Sequence, residues 1–191
     1  YTQTGPGNPL VVQTNIFTEE NSIVLPGINS SSVAWGDYDN DGDLDLLLAG
    51  NWYYGGRITS LYRNNSDHTF TLQPDLNLPG VEYCSAAWCD YDNDNDLDLL
   101  LSGYTNDDKI ITRLYRNEGS GNLAEQTGIS LLPVHHGSVA WGDYDNDGLA
   151  DILLSGNTGS TWTARIYKNY GGNTFIHQTS IMFNLHDRGS A

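Results

Sequence analysis

Trp35, Trp88 and Trp141 stand 53 residues apart, heading the phrases WGDYDNDGDLDLLLAG, WCDYDNDNDLDLLLSG and WGDYDNDGLADILLSG. A fixed period of this length marks a repeat architecture, in which each unit buries its apolar faces only by stacking on its neighbours. The correspondence runs past the acidic phrase. An aliphatic run ends at Gly50, Gly103 or Gly156, and after a variable stretch comes Leu61-Tyr62-Arg63-Asn64, Leu114-Tyr115-Arg116-Asn117 or Ile166-Tyr167-Lys168-Asn169. A fourth short segment is anchored by Phe70, Leu123 or Phe175. Each copy thus offers four strand-length runs separated by Gly, Asn and Asp turns, with no helical period. Four short antiparallel strands per unit is the pattern of a β-propeller blade. The expected fold is all-β, with blades over 32–84, 85–137 and 138–191. Residues 1–31 read as the orphan outer strand of a preceding or partner blade, since Phe17 aligns with Phe70 and Leu25-Pro26-Gly27 with Leu78-Pro79-Gly80.

The first strand of each copy alternates bulky and small side chains. Val33 and Trp35 point to one face, Ala34 and Gly36 to the other, and Ala87 with Cys89 and Ala140 with Gly142 keep that second face small. Wedge-shaped blades that converge need a large face against a small one, so the three tryptophans are expected between blades.

The acidic phrases place oxygen ligands at alternating positions of a tight loop, which suits a hard divalent cation such as Ca²⁺. Position 6 is Gly42, Asn95 or Gly148, residues that accept the left-handed conformation of a sharp turn. Position 7 is Asp43, Asp96 or Leu149, and because leucine has no ligating side chain this position is expected to offer its backbone carbonyl. Side-chain ligands are then positions 1, 3, 5 and 9. They are Asp37, Asp39, Asp41 and Asp45 in the first copy, Asp90, Asp92, Asp94 and Asp98 in the second, and Asp143, Asp145, Asp147 and Asp151 in the third. An EF-hand is excluded, because Leu48, Leu101 and Leu154 occupy the place of its bidentate glutamate. About three Ca²⁺ per chain are expected, which would reduce the formal charge of −16 in magnitude by six.

With 8 Lys+Arg against 24 Asp+Glu, the chain has the wrong sign for nucleic acid or an anionic membrane. No apolar stretch is long enough for a membrane span. Cys84 and Cys89 lie too far apart on one extended segment to bridge, about 16 Å at ~3.3 Å per residue, and read as free thiols. Asn29-Ser30-Ser31 and Asn64-Asn65-Ser66 have the form of glycosylation acceptors.

The D-x-D-x-D-G-x-x-D loop between an Ala-Trp strand and a Leu-Leu-Leu-x-Gly strand resembles the FG-GAP/VCBS repeat, over nearly all of residues 30 to 180, and the VCBS-like branch is the closer match. The resemblance implies a Ca²⁺-stabilised propeller at the cell surface or outside the cell, used for adhesion, sugar binding or as an accessory module. On that model a ligand would meet the rim opposite the calcium loops. Candidate ligand residues there are Trp52, Tyr53, Tyr54, Tyr104 and Trp162, with Tyr83, His135 and His136 expected in the loops between blades. No nucleophile elbow, phosphate loop or metalloprotease motif is present, and no catalysis is expected. Two classes of function stay open: a recognition module for a glycan or protein, and a structural subunit. Known propellers close with four or more blades, so the chain is expected either to belong to a longer array or to join copies of itself end to end, as a ring or a filament.

Overall fold

The computed structural model describes residues 23–181, apart from Asp75 and Ser120. The expected outer strand within residues 1–22 lies outside the described residues. Twelve strands and no helix are present among those described, in three antiparallel four-stranded meanders. The first blade comprises β1 (Ile28–Gly36), β2 (Asp45–Trp52), β3 (Gly56–Asn64) and β4 (Phe70–Gln73). The second comprises β5 (Val81–Cys89), β6 (Asp98–Thr105), β7 (Ile110–Asn117) and β8 (Leu123–Glu125). The third comprises β9 (His135–Gly142), β10 (Asp151–Asn157), β11 (Trp162–Asn169) and β12 (Phe175–His177). A single backbone pairing, Ile58 with Val81, links β3 to β5, and the first two blades otherwise meet through side chains.

The leucine runs are explained by burial on both faces. In β6, Leu99 and Leu101 belong to the core cluster shared with Leu47, Ala49 and Leu61 of the first blade. Leu100, pointing the other way, belongs to the cluster shared with Val139, Ile152 and Leu154 of the third. A strand covered on one face only would alternate; one covered on both reads as a continuous apolar run. Each fully buried leucine contributes about 1.5–3 kcal/mol.

The large-on-small packing of first strands is present at the first seam. A Cβ placed on Gly36 would come within 2.8 Å of Trp88 Cδ1, so only glycine admits the indole there. At the second seam Trp141 lies parallel to the ring of Tyr91, centroids 6.0 Å apart, and donates from Nε1 to the Ala87 carbonyl at 3.2 Å. Trp35 departs from expectation: it is 58% exposed, on the face of the first blade that meets no described blade.

Each first strand carries a bulge near its start, with Ser30, Tyr83 and His136 at φ of 49°, 48° and 51°. Bulges with a non-glycine residue in the left-handed region re-aim side chains at sheet margins. Tyr83, His135 and His136 therefore sit in strands β5 and β9 rather than in the connecting loops. The re-aiming brings Tyr83 and His136 into a stack with ring centroids 3.8 Å apart.

Candidate metal centre and the opposite rim

A meander sends its β1–β2 and β3–β4 connections to one end and its β2–β3 turn to the other. All three acidic loops consequently share one rim. Each loop folds on its own carboxylates. Asp37 accepts from the Gly42 amide at 3.0 Å, Asp90 from Asp94 and Asn95 at 3.0 and 2.9 Å, and Asp143 from Asp147 and Gly148 at 3.1 and 2.9 Å. Gly42, Asn95 and Gly148 have the expected positive φ, of 94°, 73° and 86°. Position 4 has it as well, in Asn40, Asn93 and Asn146, at 58°, 62° and 58°.

The carboxylates separate into three groups. Asp37, Asp39 and Asp41 converge in the first loop, Asp90, Asp92 and Asp94 in the second, and Asp143, Asp145 and Asp151 in the third, each trio offering oxygens within 4.8 Å of one another. Position 9 is the buried brace. Asp45 and Asp98 are 0% exposed and Asp151 2%. Each receives two backbone amides, one from its own loop and one from the third strand: Tyr38 and Asn64, Tyr91 and Asn117, Tyr144 and Asn169, all at 2.8–3.1 Å. Burial raises the Asp45 carboxyl above the usual range and pushes Asp98 up to about 7. At position 7 the side chains turn away, Asp43 to the Ser66 hydroxyl and Asp96 to Asn40 Nδ2 of the neighbouring loop at 2.5 Å. Leu149 shares that position, with its amide donating to Asp147 at 3.0 Å.

A basic residue of the third strand lies against each trio. Arg63 Nε and Nη2 reach Asp39 Oδ2 and Asp41 Oδ2 at 2.7 and 2.9 Å, and Arg116 reaches Asp92 Oδ2 and Asp94 Oδ2, both at 2.9 Å. Lys168 pairs with Asp145 and with Asp147 Oδ2, the latter at 3.0 Å. These contacts hold Asp41, Asp94 and Asp147 below the ordinary carboxylate range. Sequence reasoning read the Leu-Tyr-Arg-Asn phrase as a strand and missed this role. The available signal was that a cation recurs at Arg63, Arg116 and Lys168, at nearly constant distance from the loop.

The basic groups do not satisfy every oxygen. Asp37 Oδ1, Asp39 Oδ1 and Asp92 Oδ1 are shut off from solvent and have no hydrogen-bond donor. An ionised oxygen in that condition costs several kcal/mol unless a cation meets it. The donor set is all oxygen, so the residues fit a hard divalent ion.

The opposite rim is less uniform. Between the first and second blades, Arg57 fills the seam: its Nε lies 2.8 Å from Glu82 Oε1, its Nη1 donates to the Thr105 carbonyl at 2.5 Å, and its guanidinium lies 4.7 Å from the Tyr104 ring centroid. Its counterpart at the next seam is Ile110, and there a groove opens, lined by Tyr104, Asp108, Lys109, His135, Asn157 and Thr158 among others. Of the expected ligand residues, Trp52, Tyr53 and Tyr54 form one aromatic group on the first blade, with ring centroids 4.9–6.2 Å apart. Trp52 also lies against Gly55 and is half-buried. Tyr104 joins the groove, while Trp162 stands 56% exposed at the start of β11 and is not part of its lining.

Both cysteines are free thiols, pushed up to about 11 by burial, and neither is a thiolate at neutral pH. Asn29 is exposed, whereas the Asn64 side-chain amide donates to the Leu44 carbonyl at 3.2 Å.

Fold and site together define a repeat protein of propeller blades, each bearing an acidic loop at the same rim. The model of the FG-GAP-like repeat matches residues 37–101 and again 90–154, together more than half of the chain. The chain belongs to the FG-GAP-like repeat family. No curated protein matches it as a relative. Among the described residues no helix is long and apolar enough to cross a membrane.

Proposed function

We propose that the chain is a non-catalytic, calcium-stabilised module acting outside the cell or at its surface, which recognises a glycan or a protein through the rim opposite its acidic loops. The observation that carries the calcium assignment is the set of enclosed, undonated oxygens on Asp37, Asp39 and Asp92. The basic residues draw on the other oxygens of Asp39 and Asp92, leaving these free for a second cation. One Ca²⁺ per loop would be held by positions 1, 3 and 5 in the first two loops and by positions 1, 3 and 9 in the third, with the position 7 carbonyl and the remaining carboxylate completing an oxygen shell. About three ions per chain would offset six of the charges that otherwise oppose the fold.

Recognition is supported by the contrast between the seams. A residue that stitches one seam is replaced at the next by one that leaves a groove with an aromatic ring, a carboxylate, an amide and a hydroxyl. Rings beside such groups stack on and hydrogen-bond a sugar, or anchor a polar peptide. Melting metal-free protein with and without millimolar Ca²⁺ tests the first part: saturation at 100 times Kd adds about 2.7 kcal/mol per site, and coincident curves would sink it. A glycan array read with wild type, Tyr104→Ala and Ile110→Arg tests the second. Binding should vanish in both variants while the melting temperature holds.

A second reading, a structural subunit that stacks end to end, is favoured by the exposed apolar side chains of Val33 and Trp35 on the first blade and Leu153 on the third.

A further inference from the structure

We propose that His135 and His136 form a chelating site for a transition-metal ion, Cu²⁺ in preference to Ni²⁺, at the start of β9 on the rim opposite the acidic loops. Adjacent residues of a β-strand ordinarily point to opposite faces of the sheet. At the bulge of β9 they do not. His136 has a φ of 51°, and the register of β9 on β10 shifts between Ser155 and Asn157. The Nδ1 atoms of the two imidazoles consequently lie 2.7 Å apart. The first blade shows that the bulge itself turns neighbouring side chains to one side. At the corresponding positions there, Ser30 has a φ of 49° and its Oγ donates to Asn29 Oδ1 at 3.2 Å. In the second blade the positions are Glu82 and Tyr83, and Glu82 is held by Arg57 Nε at 2.8 Å. Of the three copies, only the third places two nitrogen ligands on this turn.

Two imidazole nitrogens this close repel if both carry hydrogen or both present lone pairs, so the pair needs one positive centre between them, a shared proton or a metal ion. Bite distance points to the kind of metal. With metal–nitrogen bonds of ~2.0–2.1 Å, two nitrogens at a right angle in a square or octahedral shell stand about 2.9 Å apart, and in a tetrahedron about 3.3 Å. The observed separation is near the first, which favours Cu²⁺ and Ni²⁺ over Zn²⁺, and Cu²⁺ binds the tighter of the two. Both rings are held in place. Tyr83 stacks on His136 with centroids 3.8 Å apart and planes at 17°, and the Tyr104 ring lies 5.7 Å from that of His135. Chelation therefore orders little that is not already ordered. Imidazole donors suit such ions as the all-oxygen loops suit Ca²⁺, so ligand type keeps the two kinds of site apart. Two protein ligands leave the other coordination positions to water, or to a donor group of whatever fills the groove that His135 also lines.

Calorimetric titration of Cu²⁺ into protein kept in excess Ca²⁺, which competes for the acidic loops, reads the affinity, and electron paramagnetic resonance reads the ligands. Wild type should bind a Cu²⁺ whose spectrum shows coupling to two imidazole nitrogens. His135→Asn and His136→Ser give the third blade the residues that the first carries at this bulge, so the fold should hold, and copper-free melting curves check that it does. Each substitution should weaken Cu²⁺ binding at least about tenfold and leave no more than one coupled nitrogen. His68→Ala, in the β3–β4 connection on the acidic rim, should change neither. A wild type that binds Cu²⁺ no more tightly than the double variant, or a two-nitrogen spectrum that survives in the double variant, would overturn the proposal. The glycan array is read without copper, so failure of the groove as a recognition site and failure of this site are distinguishable.

Discussion

Leu100 and Leu153 hold the same position in the same phrase of the repeat, yet one is wholly buried and the other 45% exposed. Trp88 and Trp35 differ in the same sense: Trp88 packs on Gly36, Trp35 faces outward. The second blade is covered by a neighbour on either side, whereas Trp35 of the first and Leu153 of the third lie on faces that meet no described blade. The repeat specifies a shape that is complementary to itself at a fixed offset. For Leu100 and Leu153, burial is then conferred by the neighbouring blade, not by the residue.

The largest expected effect puts that comparison at risk directly. Leu100→Ala removes side-chain volume from a closed core and should cost about 3 kcal/mol. Leu153→Ala should cost well under ~1 kcal/mol in dilute protein, where no second copy covers it. Urea titrations of the two variants measure the gap, and equal losses would show that the third blade's outer face is covered.

A smaller difference is expected at the acidic rim. The second loop is tied to both neighbours, receiving Asn40 on Asn95 O and Asp96 and sending Asn93 to Gly148 O. Among the described residues the third loop is tied on one side only. Asp92→Asn should therefore lower stability in Ca²⁺ by about 2 kcal/mol, or ~4–8 °C in melting temperature for a chain of this size, and Asp145→Asn by about half as much. Equal shifts would mean that the loops act independently.

A further difference is expected in the dependence on pH. Burial raises the Asp45 carboxyl and pushes Asp98 up to about 7, above the ~3.9 of an unfolded aspartate. The folded chain then binds more protons than the unfolded one between about pH 4 and pH 7, and metal-free stability falls as pH rises through that window. Melts of metal-free protein should be higher at pH 5 than at pH 8, and Asp98→Asn should flatten the difference. A rise toward pH 8 instead would show that the two backbone amides on each carboxylate outweigh its burial.

Much of the molecule was legible in one dimension because a propeller blade is built from near-neighbours in sequence. The period of 53, the four runs per period and the alternation within the first strands determined an all-β fold of stacked four-stranded units. The loop spacing pointed to aspartates at positions 1, 3, 5 and 9, and three of the four converge in each loop: positions 1, 3 and 5 in the first two, and 1, 3 and 9 in the third. What the tertiary structure alone decided lies between elements far apart in the chain. Arg63, Arg116 and Lys168 meet their carboxylates only once the third strand has folded back beside the loop. The bulges that swing Tyr83 onto His136 arise from ladder register, which the pattern of apolar residues does not record. Arg57 and Ile110 look like ordinary variation at a strand's start, and only the seam shows that one closes a gap and the other leaves it open. Three copies of one phrase cannot say which face of each copy is covered. Exposure depends on what stands across each face, and that is decided in three dimensions.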